Sequence, residues 1–191
     1  MKFTTTSAAS VLSLLSLTNA LPAPAPLDTR EPANIIRPTA LSQYTVWTGA
    51  ITHDTNRGLI LKNNGASSDI TTLGTFTIPA AAAGRTCEFG FSLPSSATVS
   101  GTGTFDVFTS IKPADGDTSG WPSGNLRDRY DGRVRAVVGG EAQSVEGILS
   151  PLGRPFKCPP AGAVVGGELV GAGDVVRVEW EGNFGPYFFW Y

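Results

Sequence analysis

Apolar and polar residues alternate with period two along several short stretches of this chain, and that rhythm limits the fold more than any other feature. In residues 86–93, Cys87, Phe89, Phe91 and Leu93 fall on one phase, while Thr86, Glu88, Gly90 and Ser92 fall on the other. Phe105 and Val107 alternate in the same way with Thr104 and Asp106, and Val134, Ala136 and Val138 with Arg133 and Arg135. Val176, Val178 and Trp180 alternate with Val175, Arg177 and Glu179. Period two is the mark of strands with one buried face. Further strands are expected over 44–51, 58–62, 70–78, 167–170 and 187–191. Turn clusters such as Asn63-Asn64-Gly65, Pro94-Ser95-Ser96 and Gly139-Gly140 separate them. With 23 Gly and 14 Pro among 191 residues, helices would be interrupted every few positions, so a helical bundle is excluded. About nine short strands predict an all-β, single-domain antiparallel β-sandwich of jelly-roll type. No internal repeat points to a propeller or solenoid.

The ends of the chain read differently from its middle. Residues 1–20 carry Lys2, then an apolar run through Leu12, Leu14, Leu15 and Leu17, and close on Thr18-Asn19-Ala20. That order is expected of a secretory signal cleaved after Ala20. Its apolar run is too short to span a bilayer, which needs roughly 20 residues. Residues 21–40 begin Leu21-Pro22-Ala23-Pro24-Ala25-Pro26, a pattern that favours extended, solvated backbone and reads as a linker or pro-segment. The lone Arg30 is a weak processing signal. The sandwich domain is expected over 41–191, and the localisation is secreted, at or beyond the cell wall.

Two cysteines in a secreted chain, Cys87 and Cys158, are expected to pair. A zinc site lacks ligands, because one His and two Cys cannot supply the usual set. His53, beside Asp54, reads as a surface residue of a connection, and Gly120-Trp121-Pro122-Ser123-Gly124 is not a nucleophile elbow. A net charge of −2 gives no basic face for nucleic acid. The longest irregular segment, 112–132, holds Asp115, Asp117, Trp121, Asn125, Arg127, Asp128 and Asp131. Long loops commonly carry function, and a single helical turn is expected over 125–130. The aspartates could hold Ca²⁺, but a solvated polar loop fits their spacing better. Among the aromatics, Trp180 shares phase with Val176 and Val178 and belongs to the core. In 187–191 both phases are aromatic, so this strand is either buried on both sides or offers one face to a ligand. The candidate binding surface is Trp121, Asn125, Arg127, Asp128, Tyr187 and Trp190. No catalytic residue, metal or cofactor is assigned.

Several spaced motifs run in a fixed order through the chain. They include Phe76, Ile78 and Pro79; Gly84, Thr86, Cys87, Phe89, Phe91, Leu93 and Pro94; and Ser100, Gly101, Gly103, Asp106, Val107 and Phe108. Trp121-Pro122, Asn125, Arg127 and Asp128 follow, then Phe156, Cys158 and Pro159, Gly167-Glu168-Leu169-Val170, Gly173-Asp174, Val178, Trp180 and Gly185-Pro186. This pattern resembles a fungal family of mostly secreted proteins, named after the C-terminal domain of the ubiquitin-three-binding protein. The resemblance implies a β-rich domain with a disulfide and brings no catalytic residues to this chain. It also implies that Asp106, Arg127, Asp128 and Arg133 anchor loops through ion pairs. The family's name suggests a partner in a ubiquitin-like pathway, whereas the signal at 1–20 directs the chain out of the cytosol.

The leading expectation is a secreted, non-enzymatic binding module whose partner is a wall polysaccharide or a protein. The alternatives are a glycan-active enzyme using a carboxylate pair such as those among Glu88, Asp106, Glu168, Glu179 and Glu181, and a secreted effector that binds a partner protein.

Overall fold

Strands with one apolar face need a second apolar surface to bury it against, and here they find it in each other. The structure, a computed structural model, describes residues 34–53, 55–64, 68–115, 118 and 127–191. In chain order the strands are β1 (Ile35–Ile36), β2 (Ala40–Thr45), β3 (Ala50–Thr52), β4 (Arg57–Asn63), β5 (Ile70–Thr77), β6 (Thr86–Ser92) and β7 (Thr98–Gly101). They continue with β8 (Thr104–Ser110), β9 (Arg127–Arg135), β10 (Gln143–Ser144), β11 (Phe156–Lys157), β12 (Val164–Gly171), β13 (Val175–Glu181) and β14 (Gly185–Trp190). A small sheet runs β1-β14-β6-β11. A large sheet runs β10-β9-β8-β12-β5-β4-β13-β7, with β2 on β5 and β3 on β2. Every pairing of these strands is antiparallel.

The expected all-β antiparallel sandwich is therefore the fold. Among the described residues fourteen strands stand against the expected nine: β1, β10 and β11 span two residues each, too few for alternation to register, the four-residue β7 was not expected, and the stretch read as one strand over 44–51 holds two. Residues 44–51 are not one strand: Val46, Trp47, Thr48 and Gly49 turn between β2 and β3, and Trp47 stands 76% exposed. No helical turn forms over the described part of 125–130, because β9 already begins at Arg127 and pairs with β8. Ile35 and Ile36, inside the stretch read as linker, pair with Phe189 and Phe188. The folded part thus includes residues before 41, while 1–33 lie outside the described residues.

Between the sheets, Phe91 of β6 meets Phe105 at 4.7 Å and Trp180 edge-on at 5.2 Å. Each such buried side chain contributes about 1.5–3 kcal/mol relative to exposure. Trp180, 1% exposed, donates its indole N–H to the Phe184 carbonyl at 3.0 Å. Its ring lies against Gly58 and Gly185, where an added Cβ would come within 1.9 Å and 2.5 Å. At the other end, Cys87 and Cys158 form the expected disulfide, with Cα atoms 5.1 Å apart. Ile36, Phe76 and Ile78 pack around it.

Candidate functional site

The register of the large sheet places Ser42, Leu73, Glu168, Phe108 and Tyr130 in one row across β2, β5, β12, β8 and β9. Neighbouring positions such as Leu169 and Val107 join the core, so this row faces away from the second sheet. Glu168 is 0% exposed and meets three donors there. Arg127 grips it through Nε at 2.7 Å and Nη2 at 2.8 Å, and the Thr71 hydroxyl donates at 2.7 Å. A buried carboxylate is tolerated when paired and hydrogen-bonded in this way. The Arg127 guanidinium also lies 4.6 Å from the Phe108 ring centroid, within cation–π range. Phe108 in turn contacts Tyr130 at 5.3 Å.

Farther along β8, Asp106 receives Arg133 at 2.7 Å and 3.0 Å and the Tyr130 hydroxyl at 3.3 Å. The hydrogen bond to Asp106 raises the Arg133 pKa, and burial raises that of Tyr130. Arg127 and Arg133 thus tie β9 to the sheet, the loop-anchoring role implied for Asp106, Arg127 and Arg133. Asp128 accepts from the Thr109 hydroxyl at 3.2 Å, and Asp131 pairs with Arg129 at 2.8 Å. His53 is half-buried rather than a plain surface group. Its Nδ1 lies 3.3 Å from the Ser42 hydroxyl, and its Nε2 meets the Thr118 carbonyl. It pins residue 118 against the sheet.

The small sheet resolves the two aromatic phases at the C-terminal end. Phe188 and Trp190 turn inward, packed against Ile36, Phe76 and the disulfide. Tyr187, Phe189 and Tyr191 take the other phase, that of Glu88 and Gly90 on β6. The Phe189 and Tyr191 rings lie 5.8 Å apart, and Tyr191 is 52% exposed. Tyr187 pairs in register with Gly90 and donates its hydroxyl to Glu141 at 2.7 Å. Arg37 sits 4.9 Å from the Tyr187 ring centroid. Tyr191 donates to Glu88 at 2.8 Å. Burial, with help from Glu141, pushes the Tyr187 pKa well above its ordinary value, and the Glu88 bond raises that of Tyr191. The result is a row of rings edged by carboxylates that hold hydrogen-bond acceptors ready.

Of the candidate surface residues, Tyr187 is on this outer face, whereas Trp190 is on the inner one. Arg127 and Asp128 lie on β9 of the other sheet, the first committed to Glu168. Trp121 and Asn125 lie outside the described residues, as does Asp117. Phe189 and Tyr191 were missed, although their shared phase with Tyr187 was visible; which phase faces outward depends on the packing of Phe188 and Trp190. Among the described residues no three His, Cys, Asp or Glu side chains gather to hold a metal. No helix there is long and apolar enough to cross a membrane.

A family model described as the ubiquitin 3 binding protein But2 C-terminal domain matches residues 60–186. No curated protein matches the chain. The matched span holds β5 to β13 and their disulfide, and it ends one residue before Tyr187, so the aromatic face extends beyond it.

Proposed function

Because the chain belongs to the But2 C-terminal domain family, we propose that it is a non-enzymatic binding module, secreted, that attaches to wall polysaccharide through Tyr187, Phe189 and Tyr191. The observation that carries this reading is the single outward phase of those three residues beside Glu88 and Glu141. Flat aromatic faces match the C–H faces of sugar rings, and their amphipathic character suits a surface that is wet when unoccupied. Each edge carboxylate takes a tyrosine hydroxyl on one oxygen, Glu141 on Oε2 and Glu88 on Oε1, and its second oxygen accepts sugar hydroxyls. The engagement of other carboxylates supports binding over hydrolysis. Glu168 is held by Arg127, Asp106 by Arg133, and Glu179 by Arg57 and Arg177. A carboxylate whose oxygens are already taken by arginine donors has no lone pair turned toward a substrate.

Secretion is supported by the order of charge, apolar run and small residues in 1–20, and by a disulfide that persists in oxidising compartments. A second reading rests on the family's description, which names a ubiquitin-type partner for the protein it was drawn from. In that reading the same face takes a protein. Incubation of the full chain with insoluble β-glucan and with chitin separates the two. Retention on either supports the polysaccharide reading. No retention on both, with a protein captured by cross-linking in culture fluid, overturns it in favour of the second.

A further inference from the structure

Gly74 of β5 and Gly167 of β12 are register partners. They sit on the phase that faces the small sheet, beside Phe76 and Leu169. Two side chains are therefore missing at one point of the inter-sheet layer, and a cleft of about 270 Å³ opens there. Phe89 and Phe188 of the small sheet line one wall, and Val107 and Leu169 line the other. Phe156 closes one side. The rings already form a cluster around Phe188, with Phe76 at 4.6 Å, Phe156 edge-on at 5.6 Å and Phe89 at 6.4 Å.

The mouth is polar and asymmetric in charge. Arg129 and Asp131 there neutralise each other at 2.8 Å. Arg154 also stands at the mouth, exposed. Its guanidinium reaches the Asp131 backbone carbonyl at 3.4 Å and meets no carboxylate among the described residues. One positive charge is thus left over where the cleft opens. An apolar pocket with one convergent charged group is the usual form of a small-ligand site. This one lies just below the roughly 300 Å³ at which drug-sized pockets begin, so it suits a single ring with a short side chain. A ring extends the edge-to-face cluster around Phe188 in a way an alkyl chain does not.

We propose that this cleft binds a small monoaromatic carboxylic acid, its ring against Phe89, Phe156 and Phe188 and its carboxylate at Arg154. Titration calorimetry of the full chain with cinnamate and with methyl cinnamate tests this. Cinnamate is expected to bind saturably and the uncharged ester about fivefold more weakly, the size of a solvent-exposed ion pair. Arg154→Gln should bring the acid down to the affinity of the ester and leave the ester unchanged. Gly74→Val, which fills the cleft, should abolish binding of both. Absence of saturable binding overturns the proposal. So does equal affinity of acid and ester in the unaltered chain, or an Arg154→Gln variant that still prefers the acid. If Gly74→Val does not fold, the ester and Arg154→Gln comparisons decide the matter by themselves.

Discussion

Tyr187 occupies the space that any side chain at residue 90 would fill: a Cβ on Gly90 would lie 2.2 Å from the Tyr187 Cζ atom. The two residues are cross-strand partners on β14 and β6. The glycine lets the ring settle against the sheet instead of standing out from it, and the hydroxyl then reaches Glu141. Position 90 therefore sets the shape of the aromatic face without being part of it.

Gly90→Val is expected to lift Tyr187 off the sheet, break its bond to Glu141 and lower retention on polysaccharide. Forcing a side chain into an occupied space costs about 1–3 kcal/mol. Urea denaturation measures the stability loss, and the insoluble-glucan assay measures the retention.

The Tyr187 hydroxyl gives a pH dependence with a definite sign. Burial holds its pKa above the unfolded value of about 10. The folded state thus keeps the proton that the unfolded state releases, and the stabilisation is present in full below pH 10. It is lost as pH rises from about 10 through the higher folded pKa. The melting temperature should fall steeply over this alkaline range, and Tyr187→Phe should flatten the fall. Phenolate absorbance at 295 nm should show one fewer late-titrating tyrosine in the variant.

Removal of Arg127 strands a carboxylate that is 0% exposed. Arg127→Ala is expected to destabilise the chain by about 3 kcal/mol, the lower end for breaking a buried pair because Arg127 itself is 24% exposed. Arg127→Met together with Glu168→Leu should recover much of that loss, since the uncompensated charge goes too. Urea midpoints of the single and double variants measure the difference.

The disulfide closes a separation of 71 residues. Chain-entropy reasoning gives it roughly 4 kcal/mol of stabilisation. Cys87→Ser with Cys158→Ser should lower stability by about that amount, and thiol titration of the unfolded, unreduced parent should find none.

Much of the fold was legible because alternation survives wherever a strand is long and buried on one side. Phe89, Phe91, Val176, Val178 and Trp180 all face the core as their phase predicts. The pairing of Cys87 with Cys158 followed from the count of two cysteines and the secretion expected from residues 1–20. What was not legible depends on neighbours in space. β9 has Arg127, Asp128, Arg129, Tyr130 and Asp131 in sequence, a run that reads as a polar loop until Glu168, Phe108 and Asp106 supply its partners. Gly74 and Gly167 fall inside the strands expected over 70–78 and 167–170, and nothing marks them until register sets them opposite each other. In 187–191 the two aromatic phases were plain, but the choice of outward phase fell to Ile36, Phe76 and the disulfide, which claim Phe188 and Trp190.

The binding account stands most directly on which rings feel a sugar. Isotope-labelled full chain titrated with soluble β-glucan and chitin oligosaccharides, followed by NMR of the aromatic side chains, reads this residue by residue. The account predicts saturable shifts of Tyr187, Phe189 and Tyr191 with Phe188 and Trp190 unmoved. Shifts confined to other residues, or no saturable shift with any of these sugars, would contradict it.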